Sequence, residues 1–272
     1  MFESVCCYIT NNCNFSCDYC YRLDCDEKYM DIKIFKRILE KLKEIGCKRI
    51  AITGGEPTLH PKLSEMIELS NEKGFYVDLL TNGTLTDLNS EIYKNISILC
   101  LSLDGITNNG NKHRPKKQVE CTKKLIEQYK TGNYPFSIKV SSVVTHSNYK
   151  EIIELGKKLL NDSRIIWRLF QCRPYGEFNN IDREEILSKK ELKDLIDELN
   201  QNSFECNVYL KGLIDELDEV SRHILINTNG DLWINEFLIG NLLEHSKHEL
   251  EEKCKEHYLD KYETDLLIDW RK

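Results

Sequence analysis

Three thiols stand in one short loop, Cys13-Asn14-Phe15-Ser16-Cys17-Asp18-Tyr19-Cys20, separated by three and then two residues. Thiols so spaced converge on one point and supply three corners of an iron–sulfur cube, leaving the fourth iron without a protein ligand and open to chemistry. Cys25, the next cysteine, lies too far along to fit that spacing. A structural zinc loop needs four ligands, commonly as paired CxxC or CxxC/His units, and Cys17 to Cys20 is the only such pair. Disulfides call for an oxidising compartment. Met1 to Tyr8 carries an early acid and no basic stretch before an apolar run, which does not read as a secretion signal, so the expected location is cytoplasmic.

Thr53-Gly54-Gly55-Glu56-Pro57 is a second candidate: adjacent glycines let a backbone approach a ligand closely, and the carboxylate can accept from an ammonium group. Two cations, Lys139 and Arg168, interrupt apolar strand-like runs. They either point into a barrel, where they would hold an anionic substrate, or lie on the outer face and snorkel to water between helices. Cys47, Cys100, Cys121 and Cys172 sit in apolar segments and read as small hydrophobes.

These groups need elements to position them. Val5 to Thr10 reads as a strand that delivers the cysteine loop, and Asp31 to Gly46 as a helix with apolar residues at helical spacing. The unit then repeats, with strands over Arg49–Thr53, Tyr76–Leu80, Ile96–Leu103, Ser137–Val144 and Ile165–Gln171. Helices fall at Lys62–Lys73, Leu88–Lys94, Val119–Thr131 and Tyr149–Leu160. Such alternation predicts a parallel sheet with right-handed crossovers, as a barrel or as an open doubly wound sheet. Beyond Pro174 the pattern breaks. A helix over Lys189–Asn202, a hairpin of His223–Asn227 with Leu232–Asn235 around Asn229-Gly230, and a helix over Gly240–Cys254 read as an appendage. The division expected is a core over residues 1–178 and a cap over 179–272.

At 272 residues, with 38 Lys and Arg against 45 Asp and Glu and a net charge of −7, the chain argues against a broad nucleic-acid footprint. No apolar run approaches the roughly 20 residues of a membrane-spanning helix. A small or locally recognised substrate is expected.

With the cysteine loop and the Gly54-Gly55-Glu56 turn together, the chain resembles the radical S-adenosylmethionine (SAM) superfamily over about residues 5 to 172. The resemblance implies an α/β fold, a partial (β/α)6 TIM-type barrel with a small C-terminal α+β cap. It implies a [4Fe–4S] cluster held by Cys13, Cys17 and Cys20 and chelated by SAM, whose reductive cleavage yields a 5′-deoxyadenosyl radical that takes a hydrogen atom from substrate. A reducing partner such as flavodoxin or ferredoxin is implied too. By the same resemblance Gly54, Gly55 and Glu56 match the motif for the methionine ammonium, Tyr19 the aromatic near adenine, and Asn82, Ser102 and Asp104 the polar strand-end positions lining SAM. Arg114 matches an arginine that pairs with the carboxylate; its other reading is a solvated loop arginine.

Two branches are similar. Ser102-Leu103-Asp104-Gly105 and the hairpin followed by Ile239-Gly240-Asn241 resemble enzymes that modify ribosomally made peptides and carry a cysteine-rich SPASM extension, although only Cys206 and Cys254 follow position 172. A peptide substrate is the expectation from that branch. The alternative is the viperin family, which makes a dehydrated nucleotide from a nucleoside triphosphate. Lys139 to Val144, Trp167 to Gln171, Gly176 to Asn179 and the tail Asp265 to Trp270 resemble that family, with Ile166 where viperins carry a basic residue. The rival from another class is a non-catalytic iron–sulfur or zinc-binding module.

Overall fold

Strand β1 (Ser4–Thr10) is buried along nearly its whole length, as expected of a parallel strand covered on both faces. Helix α1 (Ile32–Glu44) returns the chain: the Asp31 side chain caps its start by accepting from the Lys33 N–H at 2.7 Å, and Phe35, Ile38, Leu39 and Leu42 bury one stripe. β2 (Arg49–Gly54), α2 (Leu63–Glu72), β3 (Tyr76–Leu80), β4 (Ile98–Ser102), α3 (Lys116–Thr131), β5 (Ser137–Val144), a broken helix and β6 (Ile165–Gln171) follow. The computed structural model describes residues 2–20, 22, 27–172, 180–210, 224–234 and 237–258, without the side chains of 255–258. Cys25, the expected boundary at 178/179, the 176–179 stretch and the 265–270 tail lie outside the described residues.

β1 to β6 pair in sequence order, all parallel. The strands of β5 and β6 alternate strictly. Ile138, Val140, Ser142, Val144, Ile165, Trp167 and Leu169 are buried on one face, and Lys139, Ser141, Val143, Ile166, Arg168 and Phe170 are half-buried on the other. The buried face meets the helical layer, where Trp167 packs on the backbone at Gly156, so the half-buried face with Lys139 and Arg168 is the inner one of a partial TIM-type barrel. There the Lys139 Nζ on β5 reaches across β4 to within 3.7 Å of an Asp78 oxygen on β3.

The C-terminal segment is woven into the same sheet. Helix α5 (Lys189–Gln201), opened by a Ser188/Glu191 capping box, leads to β7 (Asn207–Leu210), which adds in parallel to β6. At the opposite edge β8 (Ile224–Ile226) adds in parallel to β1 and continues through the Asn229-Gly230 turn into β9 (Asp231–Ile234). The helix expected over Gly240–Cys254 is corrected: residues Phe237–Asn241 form β10, antiparallel to β9, and the helix, α6, spans Lys247–Tyr258. Gly240 has φ +141°, and a Cβ there would stand 2.7 Å from the His245 ring, so this position suits a bulged strand and not a helix. Ser246 starts α6, accepting from the Glu249 N–H at 3.2 Å while Glu249 accepts from the Ser246 N–H at 2.7 Å.

Two other helices also differ from expectation. Leu88–Lys94 is reduced to a 3-10 turn over Glu91–Asn95. Tyr149–Leu160 divides into a 3-10 turn, a single α turn α4 (Ile152–Leu155) and a π turn over Gly156–Leu160. A Cβ on Gly156 would lie 2.5 Å from Phe204 and 2.6 Å from Trp167, so the widened turn brings bare backbone onto those rings.

Candidate active site

The cysteine loop leaves the C-terminal end of β1, where parallel barrels place their chemistry. Its root is pressed against the glycine turn. Gly55 N–H donates to the Thr10 carbonyl at 2.8 Å and Glu56 N–H to the Asn12 carbonyl at 2.7 Å. A Cβ on Gly54 would stand 2.2 Å from the Thr10 oxygen, and one on Gly55 2.2 Å from the Asn12 oxygen. The close approach these glycines permit is therefore first to the chain's own loop.

Glu56 is fully buried. Its Oε1 accepts from the Thr58 N–H at 3.1 Å, the Thr58 hydroxyl at 2.6 Å and the Thr81 hydroxyl at 2.6 Å, and its Oε2 accepts from the Asn82 N–H at 2.7 Å. It ties the end of β2 to the end of β3. Asn82 continues outward, donating to the Asn14 side chain in the cysteine loop at 2.7 Å and accepting from the Thr84 hydroxyl at 2.7 Å.

On the other side the loop is clamped to the segment after β4. Asp104, 1% exposed, accepts from the Tyr19 hydroxyl, from Arg114 through Nε and Nη2, and from the Val143 N–H at 2.8 Å. The Arg114 guanidinium lies over the Tyr19 ring, 5.0 Å from its centroid. Burial opposes the Arg114 charge, yet Asp104, Tyr19 and Cys17 raise its pKa above the ordinary value; burial also raises the Tyr19 hydroxyl. Arg114 is thus not a solvated loop residue: its fork pairs with Asp104. Ser102 closes β4 on the inner face, its carbonyl accepting from Gln118 at 2.8 Å.

His113 extends the clamp, reaching Asp18 at 2.9 Å and standing 3.5 Å from Glu185. Glu185 also pairs with Lys112 and accepts from the Ser147 hydroxyl at 2.6 Å and 2.7 Å. Burial alone would raise this carboxyl; the Lys112 and Ser147 donors overcome it and hold the pKa at about 2. Glu185 and His113 were missed in the sequence, where each looks like an ordinary loop residue.

The three thiols are half-buried. Burial raises Cys13 and Cys17 above the usual thiol value, and Cys17 senses both Cys13 and Cys20. Among the described residues no three His, Cys, Asp or Glu side chains close in as a single ion requires. Three thiols on one loop are the donor chemistry that an iron–sulfur group takes.

Deeper in the barrel lies a second charged layer. Asp78, 3% exposed, receives Arg49 at Oδ1 and stands 3.7 Å from Lys139 at Oδ2. Burial pushes the Asp78 carboxyl up, against the pull of Lys139 and Arg49. Burial opposes the Lys139 charge, but Cys100 and Asp78 outweigh it and raise the pKa, while Arg168 acts the other way. Arg168 lies over the Phe170 ring at 4.5 Å. Asp78 carried the same sequence signal as Lys139, a charge inside an apolar strand.

The curled parallel sheet with a three-cysteine loop at the mouth defines a class. Residues 7–159 match the Radical SAM superfamily, and the chain belongs to it, an enzyme family whose cofactors are a [4Fe–4S] cluster and SAM. It is 27% identical over 250 residues to an S-adenosylmethionine-dependent nucleotide dehydratase of Flammeovirga pacifica, covering 84% of this chain and 83% of that protein. It is 32% identical over 184 residues to a tungsten-containing aldehyde ferredoxin oxidoreductase cofactor-modifying protein of Pyrococcus furiosus, covering 61% of this chain and 51% of that one. The fold superposes on Streptococcus suis SuiB with a TM-score of 0.70 at 19% identity, over 92% of this chain and 64% of SuiB. Among the described residues no helix is long and apolar enough to cross a membrane.

Proposed function

We propose that this radical SAM enzyme acts on a nucleoside triphosphate, with Cys13, Cys17 and Cys20 as the protein ligands of the cluster and with Lys139 and Arg168 as receptors for the phosphates. The observation that carries the reading is a pair of cations on the inner face: Lys139 on β5 and Arg168 on β6 are half-buried on adjacent strands, close enough that Arg168 opposes the Lys139 charge. A polyanionic ligand offers a counter-charge to both, where a peptide carboxylate, the other expected substrate group, brings one. The nucleotide dehydratase relative, aligned over most of both chains, supports the same direction.

The cofactor pair supplies the reducing electron and the group that removes a hydrogen atom from substrate. The chain's own residues bind and orient. Gly54 and Gly55 hold the root of the cysteine loop, and the Tyr19–Asp104–Arg114 clamp fixes its far side, so the thiols stay at the mouth. The backbone of the glycine turn, with Asn82 and Ser102, remains as the polar lining for SAM. Lys139 and Arg168 draw the phosphates toward the floor, which directs the nucleoside at the mouth. Val143 and Phe170, paired on the inner wall between floor and mouth, limit water there. A flavodoxin or ferredoxin class protein would deliver the electron.

The test is 5′-deoxyadenosine release by anaerobically reconstituted, chemically reduced protein given SAM and each ribonucleoside triphosphate in turn. A severalfold rise is expected with a nucleoside triphosphate and not with the matching nucleoside, and Lys139→Ala with Arg168→Ala should abolish the rise while the SAM dissociation constant holds. No rise with any nucleotide, or a large loss of SAM affinity in the double variant, would sink the assignment.

A further inference from the structure

The loop that carries the three thiols holds no helix, so its shape is set by contacts with other parts of the chain. Each interval between thiols has one polar side chain tied to a different strand end. Asn14, between Cys13 and Cys17, accepts from Asn82 at 2.7 Å and donates to the Thr84 hydroxyl at 3.0 Å, both just beyond β3. Asp18, between Cys17 and Cys20, is held on three sides. Its N–H donates to the His113 carbonyl at 3.2 Å, its carbonyl accepts from the Asn180 N–H at 2.6 Å, and its Oδ2 accepts from His113 Nδ1 at 2.9 Å. The His113 ring is itself fixed. It lies edge-to-face with Tyr19, the centroids 5.7 Å apart, and its Nε2 stands 3.5 Å from Glu185 Oε2. Glu185 is anchored in turn by Lys112 and by Ser147, whose N–H donates at 3.1 Å and whose hydroxyl lies 2.6 Å and 2.7 Å from the two carboxylate oxygens. A line of contacts therefore runs from the segments after β5 and β6, through Glu185 and His113, to the first residue between two of the thiols.

Resting on the reading of Cys13, Cys17 and Cys20 as cluster ligands, we propose that His113 is a positioning residue for the cluster. Through Asp18 it sets the Cys17–Cys20 end of the loop, and Glu185 keeps its ring turned so that Nδ1 faces Asp18. His113 acts on the cluster as an outer partner acts on any metal ligand, fixing the ligand's orientation by holding the backbone that carries it.

Release of ferrous iron from the reconstituted protein to a chelator, followed together with the EPR spectrum of the dithionite-reduced cluster, tests this. His113→Phe keeps a ring against Tyr19 and loses both nitrogens; iron should leave about tenfold faster, the lower end of what an outer partner is worth to a metal site. His113→Asn can place its amide nitrogen where Nδ1 stands and should release iron at close to the wild-type rate. His113→Gln reaches the Nε2 position instead and should follow His113→Phe. Asp18→Ala should match His113→Phe, and the double variant should be no worse than either, since one contact cannot be lost twice. The EPR lines should broaden in the fast-releasing variants alone, whereas a merely structural loss would follow the denaturation midpoints. Wild-type release by His113→Phe, equal release by His113→Asn and His113→Phe, or additive losses in the double variant overturns the positioning role. Iron that survives replacement of all three cysteines by alanine overturns the ligand reading and this role with it; iron lost there, with His113→Phe unaltered, removes His113 and keeps the ligands.

Discussion

The mouth and the floor of the barrel are both rich in charge, and they use it differently. At the mouth each carboxylate of the clamp is answered within the chain: Asp104 by Arg114 and Tyr19, Glu56 by Thr58, Thr81 and Asn82, Glu185 by Lys112 and Ser147. At the floor Asp78 pairs with Arg49 and stands 3.7 Å from Lys139, and Arg168 opposes the Lys139 charge. A matched network in a low-dielectric setting rigidifies, because each group loses if any one moves. The mouth is thus built to hold a loop still, and the floor, on the function proposed above, is where the substrate is received.

The largest effect should come from the thiols. Replacing Cys13, Cys17 and Cys20 together by alanine should remove all iron and acid-labile sulfide and abolish SAM cleavage; a full cluster retained in that variant would move the metal site elsewhere and dissolve the contrast. Next is Asp104→Ala, which strands the Arg114 guanidinium and the Tyr19 hydroxyl. Breaking a buried pair by removing one partner costs about 3–5 kcal/mol, so chemical denaturation should register a loss of that order together with reduced cluster retention. A loss below about 1 kcal/mol would mean the mouth is no more rigid than a surface pair.

Glu185 gives the mouth a pH signature. Its folded pKa, about 2, lies below the ordinary 4.5, so its contribution is fully present above pH 4.5 and is lost as pH falls toward 2. Denaturation midpoints of wild type and Glu185→Gln should differ at pH 6 and converge near pH 2.5; parallel curves throughout would remove the carboxylate from the clamp. The smallest stability effect belongs to the floor. Lys139→Met replaces one of several like charges by an apolar stem and should change stability by less than about 1 kcal/mol while raising the substrate KM at least tenfold. A destabilisation as large as that of Asp104→Ala would show that the floor, too, is structural.

How much of this was legible in the sequence follows from the range of the interactions involved. The cysteine spacing, the glycine pair, the βα alternation and the boundaries of β5 and β6 depend on residues adjacent in the chain, and the strand limits Ser137–Val144 and Ile165–Gln171 coincide with the structure. Even α6 had a local signal, the Ser246 to Glu249 capping box, which the apolar pattern around Gly240 obscured. The sheet's curvature, the placement of β7 and β8 at opposite edges, and the partners of Glu56, Asp104 and Arg114 were not legible. Each depends on contacts between residues far apart in sequence, such as Tyr19 with Asp104 or Asp78 with Lys139. A residue's type announces that a charge exists; whether that charge is already answered depends on which strands the sheet brings together, and that is decided only when the chain closes on itself.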